Sequence, residues 1–160
     1  MRKIDQLLSE YGESHQNPTN KLIHWICVPA IFWSIVGLFW SIPNGFLISA
    51  FPNVSSPFLN WATIALVAVL LYYFTLSFWL FVGMAVAVMG FLYLTLFVEQ
   101  LGMAPVWQIS IGVFVIAWIG QFYGHNVEGK KPSFFKDVQF LMIGPAWLMH
   151  FLYKKIGLPY

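Results

Sequence analysis

Four histidines, His15, His24, His125 and His150, are the residues of this chain best suited to chemistry. His15 and His24 stand at the entrance to a long apolar stretch; His125 and His150 lie beyond its apolar core. Imidazole is the commonest neutral nitrogen ligand, and three or four together suit Zn, Fe, Ni or Cu. Cys27 is the only cysteine and lies in an apolar run, which argues against a zinc finger, an iron–sulfur cluster or a disulfide framework. The plainer role for such histidines is that of amphipathic anchors at a membrane surface. Against it, ionisable residues at membrane depth are functional by default.

Spacing says how the rings can meet. His15 and His24 are nine residues apart, about 900° on one unbroken helix, which puts them on opposite faces. Asn17-Pro18 breaks that helix, so the chain can double back and bring both rings together. His125 ends the segment Gly120-Gln121-Phe122-Tyr123-Gly124-His125, where two small residues four apart allow close helix approach. Glu128, three residues on, has three open roles: a carboxylate ligand, a partner orienting an imidazole, or a solvated loop acid. Asn20 and Gln121 are candidate hydrogen-bond partners around the site; capping is the alternative for Asn20. Lys130 and Lys131 are candidates to bind a carboxylate, or else determinants of topology.

The elements that must position these residues belong to a membrane bundle. Between Lys21 and Glu128 the only charged residue is Glu99, and every Lys and Arg lies outside that stretch. With 9% charged residues in 160, no soluble domain surface could be covered. The net charge of +2 comes from cations flanking apolar segments, without a phosphate-tracking stripe, so no nucleic-acid partner is expected. Residues 1–160 read as one integral membrane domain, all-α. About 20 apolar residues cross a bilayer, and this predicts spans near 22–42, 60–77, 79–98 and 105–123. Residues 4–13 predict an amphipathic interfacial helix, with Thr19 or Asn20 capping the next one. Pro29 should kink the first span, and Glu99 falls in the loop before the fourth. A run over 138–153, interrupted by Gly144-Pro145, predicts a re-entrant or interfacial helix. If it crossed, Lys154 and Lys155 would land opposite Lys130 and Lys131, against the positive-inside rule. Both termini are then expected in the cytoplasm, and all four histidines at one membrane face.

Two blocks resemble a known family. They are Tyr11-Gly-Glu-Ser-His15-Gln-Asn-Pro-Thr-Asn20-Lys-Leu-Ile-His24 with Val28-Pro29, and Gln121-Phe-Tyr-Gly-His125 with Glu128-Gly129 and Pro132. Together they are similar to the motifs of the Mpo1-like membrane family, and to its bacterial branch. The chain departs from the eukaryotic pattern in the short step from His125 to Glu128 and in His150, where relatives can carry an acid. The resemblance implies a four-span enzyme in the bacterial inner membrane that uses Fe(II) and O₂ to shorten long-chain 2-hydroxy fatty acids by one carbon. It implies His15, His24, His125 and His150 as ligands. The other classes are a metal- or haem-binding membrane protein without catalysis, and a small lipid or solute transporter. A transporter usually shows mid-membrane polar groups or broken helices in paired halves, whereas these spans have few such groups and no internal repeat. The oligomeric state is open.

Overall fold

The structure is a computed structural model that describes residues 2–129 and 140–158. These residues form α1 (Lys3–Gly12), α2 (Pro18–Trp40), α3 (Gly45–Ala50), α4 (Trp61–Leu76), α5 (Phe78–Leu101), α6 (Val106–Val127) and α7 (Ile143–Ile156). Among the described residues there is no strand, as an all-α bundle requires.

Local chemistry sets each boundary. Asn17 caps α2 by accepting the Thr19 N–H at 2.8 Å, and Pro18 occupies the first turn, where its missing N–H costs nothing. The helix therefore starts a turn earlier than expected, and Asn20 lies inside it instead of capping it. Pro29 is carried within α2. Ser77 alone separates α4 from α5, ending one helix and capping the next through Leu80 N–H. α5 runs on to Leu101 and stops at Gly102, whose φ of 62° is left-handed. Glu99 thus belongs to a helix, not a loop, and accepts the Trp40 indole N–H at 3.1 Å. Gly144-Pro145 fall in the first turn of α7 and do not break it. Positions 138 and 139 of the expected terminal run lie outside the described residues.

α2, α5 and α6 have 23, 24 and 22 residues and are long and apolar enough to cross a bilayer. α4 has 16 residues, about 24 Å, short of a ~30 Å hydrocarbon core. Ser77 stops it where the expected spans 60–77 and 79–98 divide. α1 turns its apolar stripe inward: Ile4, Leu8 and Tyr11 are buried in one cluster with Ile143 and Trp147 of α7. The face expected at the lipid surface therefore packs on protein.

The helices alternate in direction, so the bundle has two distinct ends. One end joins the close of α2 to the start of α4, where Trp40 meets Phe58. The other joins the α4–α5 junction to α7: Tyr73 donates to the Met142 carbonyl at 2.7 Å, and Tyr153 to that of Trp79 at 2.5 Å. His15, His24 and His125 belong to this second end. So do Lys21 at the start of α2 and Lys154 and Lys155 at the close of α7.

α2 and α6 make the most intimate helix pair, through small residues along their length. A Cβ on Gly37 would run into Ser110, one on Gly120 would come within 2.6 Å of Cys27 Sγ, and one on Gly124 would overlap the Asn20 side chain. Asn20 is fully buried and held by its own hydrogen bonds, so it cannot step aside cheaply. Gly124→Ala is expected to destabilise the bundle by about 1–3 kcal/mol, the usual range for overpacking. Gly112→Ala, on the same helix with open space around it, should be neutral or stabilising by up to ~1 kcal/mol. Thermal unfolding of both variants in detergent checks the contrast.

Candidate metal centre

His15 lies in the link between α1 and α2, three residues past Gly12, His24 lies in the second turn of α2, and His125 in the last turn of α6. The Asn17-Pro18 break folds the first helix back, so His15 and His24 meet with ring centroids 4.2 Å apart at 80°. His125 completes the group, 5.4 Å from His15 and 5.1 Å from His24. All three are buried, at most 4% exposed. One ligand nitrogen from each lies within 4.8 Å of the others.

Two of the rings are oriented by the same device. His15 Nδ1 lies 2.6 Å from the Tyr11 carbonyl oxygen, and His24 Nδ1 2.9 Å from that of Asn20. A carbonyl oxygen only accepts, so each Nδ1 carries the proton and each Nε2 keeps its lone pair. This is the tautomer in which imidazole binds metal through Nε2, with the other nitrogen donating to an orienting acceptor. Tyr11 also stacks on His15 at 4.2 Å and 15°, and Trp147 of α7 closes the same side at 5.3 Å. The group offers three imidazole nitrogens without a thiolate or carboxylate among them. That donor set fits a borderline first-row ion.

Glu128 is not among the ligand residues of this centre; it fastens the loop that carries His15. Its carboxylate accepts the Gln16 N–H at 2.8 Å, the Asn17 N–H at 2.9 Å and the Asn20 amide at 3.0 Å. The same Asn20 amide donates to the Ser14 carbonyl at 3.1 Å. Burial alone would raise the carboxyl pKa, but these donors outweigh it and hold it below the ordinary value of 4.5.

His150 does not join the other three. It stands on α7 beside Phe151, 5.5 Å between centroids, and the charges it feels are Lys154 and Asp5. α7 presents Trp147 to His15, and a step of three residues turns His150 away by about 60°. Lys130 and Lys131 lie outside the described residues. Gln121 is buried beside the centre, and its Oε1 has no hydrogen-bond partner among the described residues. With His24 and Tyr11 it lines a cavity of about 20 Å³, room for one water. Sequence reasoning passed over Tyr11 and Trp147 as site residues. For Tyr11 a signal existed: it precedes His15 by four, as Asn20 precedes His24, the spacing at which a helical carbonyl meets a side chain.

The Glu128 clamp has a pH signature. Its depressed pKa means its contribution is present above pH 4.5 and is lost as pH falls below that value. Glu128→Gln should remove this acid-side fall in thermal midpoint and lower the midpoint at neutral pH. A wild-type midpoint that is flat below pH 5 would contradict the assignment.

The family described as 2-hydroxy-palmitic acid dioxygenase Mpo1-like matches residues 1–156 of this chain. The 2-hydroxy-palmitic acid dioxygenase MPO1 of Saccharomyces cerevisiae is 30% identical over 150 residues, covering 92% of this chain and 78% of the yeast protein. No solved structure matches. With nearly every residue matched to that family, the chain belongs to the Mpo1-like family.

Proposed function

We propose that this protein is an Fe(II)-dependent dioxygenase that shortens long-chain 2-hydroxy fatty acids by one carbon at the cytoplasmic face of a bacterial inner membrane. The observation that carries the reading is the convergence of three buried imidazoles, two of them fixed in tautomer by backbone carbonyls, at one end of an apolar bundle. The family supplies the substrate class: its yeast member is named for 2-hydroxy-palmitic acid. The orientation follows from the cations gathered at the same end, which the positive-inside rule turns toward the cytoplasm.

The reaction balances without a further reductant. A 2-hydroxy acid and O₂ give the acid one carbon shorter, CO₂ and water. The substrate loses four electrons and O₂ accepts them. Bound Fe(II), held by His15, His24 and His125, would supply the redox chemistry with O₂ that a closed-shell substrate lacks. The residues do the rest. Tyr11 and Asn20 carbonyls keep Nδ1 protonated and Nε2 pointed at the ion. Gln121 offers a buried amide beside His24 for the hydroxyl or carboxylate of the acid. Trp147, Tyr11 and the apolar walls exclude bulk water. The crowding of the three rings favours a single ion over a bis-imidazole haem, whose ligands stand on opposite sides of a porphyrin.

Two measurements test the reading. Metal content of purified protein should fall by more than 10-fold in His15→Ala, His24→Ala and His125→Ala, at least as far as loss of an orienting partner would take it. His150→Ala should keep its metal, because its ring stands apart from the three. Full occupancy in all three variants would place any metal elsewhere. With ¹⁸O₂ and a long-chain 2-hydroxy acid, label should appear in the shortened acid, and Fe(II) should restore turnover after chelation where Zn(II) does not. Shortening at the same rate without O₂ would end the dioxygenase assignment.

A further inference from the structure

The cavity beside His24 and Gln121 holds about one water, too little for an acyl chain. Leu141 forms part of its wall. The same Leu141 lines a second cavity of about 250 Å³ between α2 and α4, whose lining is apolar throughout. It is more than ten times the volume of the first and has room for several methylenes. α2 connects the two spaces along one face. His24, Val28 and Ile31 line the first; Phe32, Ile35, Val36 and Phe39 continue the stripe along the second. From His24 to Phe39 this stripe runs about 22 Å along the helix axis.

We propose that the α2–α4 cavity is the acyl-chain channel of the metal centre, and that Ala62 and Ala65 at its far end set the chain length accepted. This rests on the reading that the substrate is a long-chain 2-hydroxy acid. The occupant is the substrate's own chain because the channel shares a wall with the cavity of His24. A third cavity, about 160 Å³ among α2, α5 and α7 and lined by Met84 and Met149, shares no lining residue with that of His24. Ala62 and Ala65 are small where Phe39 and Leu66 around them are large, so a chain terminus meets open space there and not earlier. The polar head stays with Gln121 and the histidines, and Leu141 separates the two environments.

The test uses detergent-purified protein in two arms. In the first, a 2-hydroxy fatty acid with a terminal diazirine is photolysed on wild-type protein and the adducts are mapped. Adducts within 35–39 and 62–66, suppressed by unlabelled 2-hydroxy acid, are expected. Adducts at Met84 or Met149 would overturn the channel. So would labelling of 35–39 and 62–66 by a diazirine phospholipid that 2-hydroxy acid cannot displace, since the groove would then hold bilayer lipid. In the second arm, turnover is profiled against chain length. Ala65→Phe should lower the preferred length by roughly three carbons, as a ring displaces a similar number of water-sized groups. It should reduce turnover of the longest substrate at least 10-fold and spare short ones. Phe39→Ala, at the same far end as Ala62, should extend the range, and Val86→Phe on the 70% exposed outer face of α5 should change nothing. A folded Ala65→Phe protein with the wild-type profile would overturn the proposal. If no chain length is turned over but the expected adducts form, the channel stands and the dioxygenase reading fails.

Discussion

The close approach of α2 and α6 is the constraint on which the site depends. His24 and His125 come from these two helices, and their rings meet because glycine at 120 and 124 lets the backbones draw together. Dispersion and shape, not hydrophobic burial, drive helix pairing in lipid, so small residues count for more there than in water. The contact at Gly124 also does a second thing. It seats Asn20 so that its amide bridges Ser14 and Glu128, while its carbonyl receives the His24 ring. One residue thus links helix packing, loop attachment and imidazole orientation. His15 depends on the same arrangement from the other side, since the loop that carries it is fastened to the end of α6 by Glu128.

Much of this was legible in the sequence, for reasons that can be named. The single charge between Lys21 and Glu128 dictated a membrane bundle, and the Asn17-Pro18 break announced the reversal that joins His15 to His24. The Gly120–Gly124 spacing announced the helix contact. Other features were hidden because they depend on partners distant in sequence. Glu128 carried three readings, and only the position of the 14–17 loop shows its carboxylate occupied by backbone donors. His150 shares an end of the bundle with the other three, but depth alone does not fix rotation about α7. By contrast, the division of the apolar stretch 60–98 near Ser77 was legible from length alone, since about 20 residues cross a bilayer and the stretch is too long for one span. Asn17 as cap was missed because Pro18 looked like the end of one helix more than the start of another.

The buried polar residues away from the histidine end bear on function by what they leave undone. Thr95 receives the Trp33 indole N–H at 3.0 Å and donates to the Phe91 carbonyl at 2.8 Å. Ser34 donates to the Ile31 carbonyl, and Ser110 nests against Gly37. Trp33, Thr95 and Ser34 are consumed locally in fixing the rotation of neighbouring helices, whereas Ser110 Oγ packs at Gly37 without a hydrogen-bond partner among the described residues. None lines the α2–α4 cavity, which is apolar along its length. A solute carrier needs polar groups that can exchange partners near mid-membrane, commonly on broken helices. Here the polar groups away from the histidine end make contacts that a passing solute would have to break. The bundle therefore supports a division of labour in which the apolar body holds a chain and one end does chemistry. A fatty acid has that same division within one molecule, a reactive head on an inert tail.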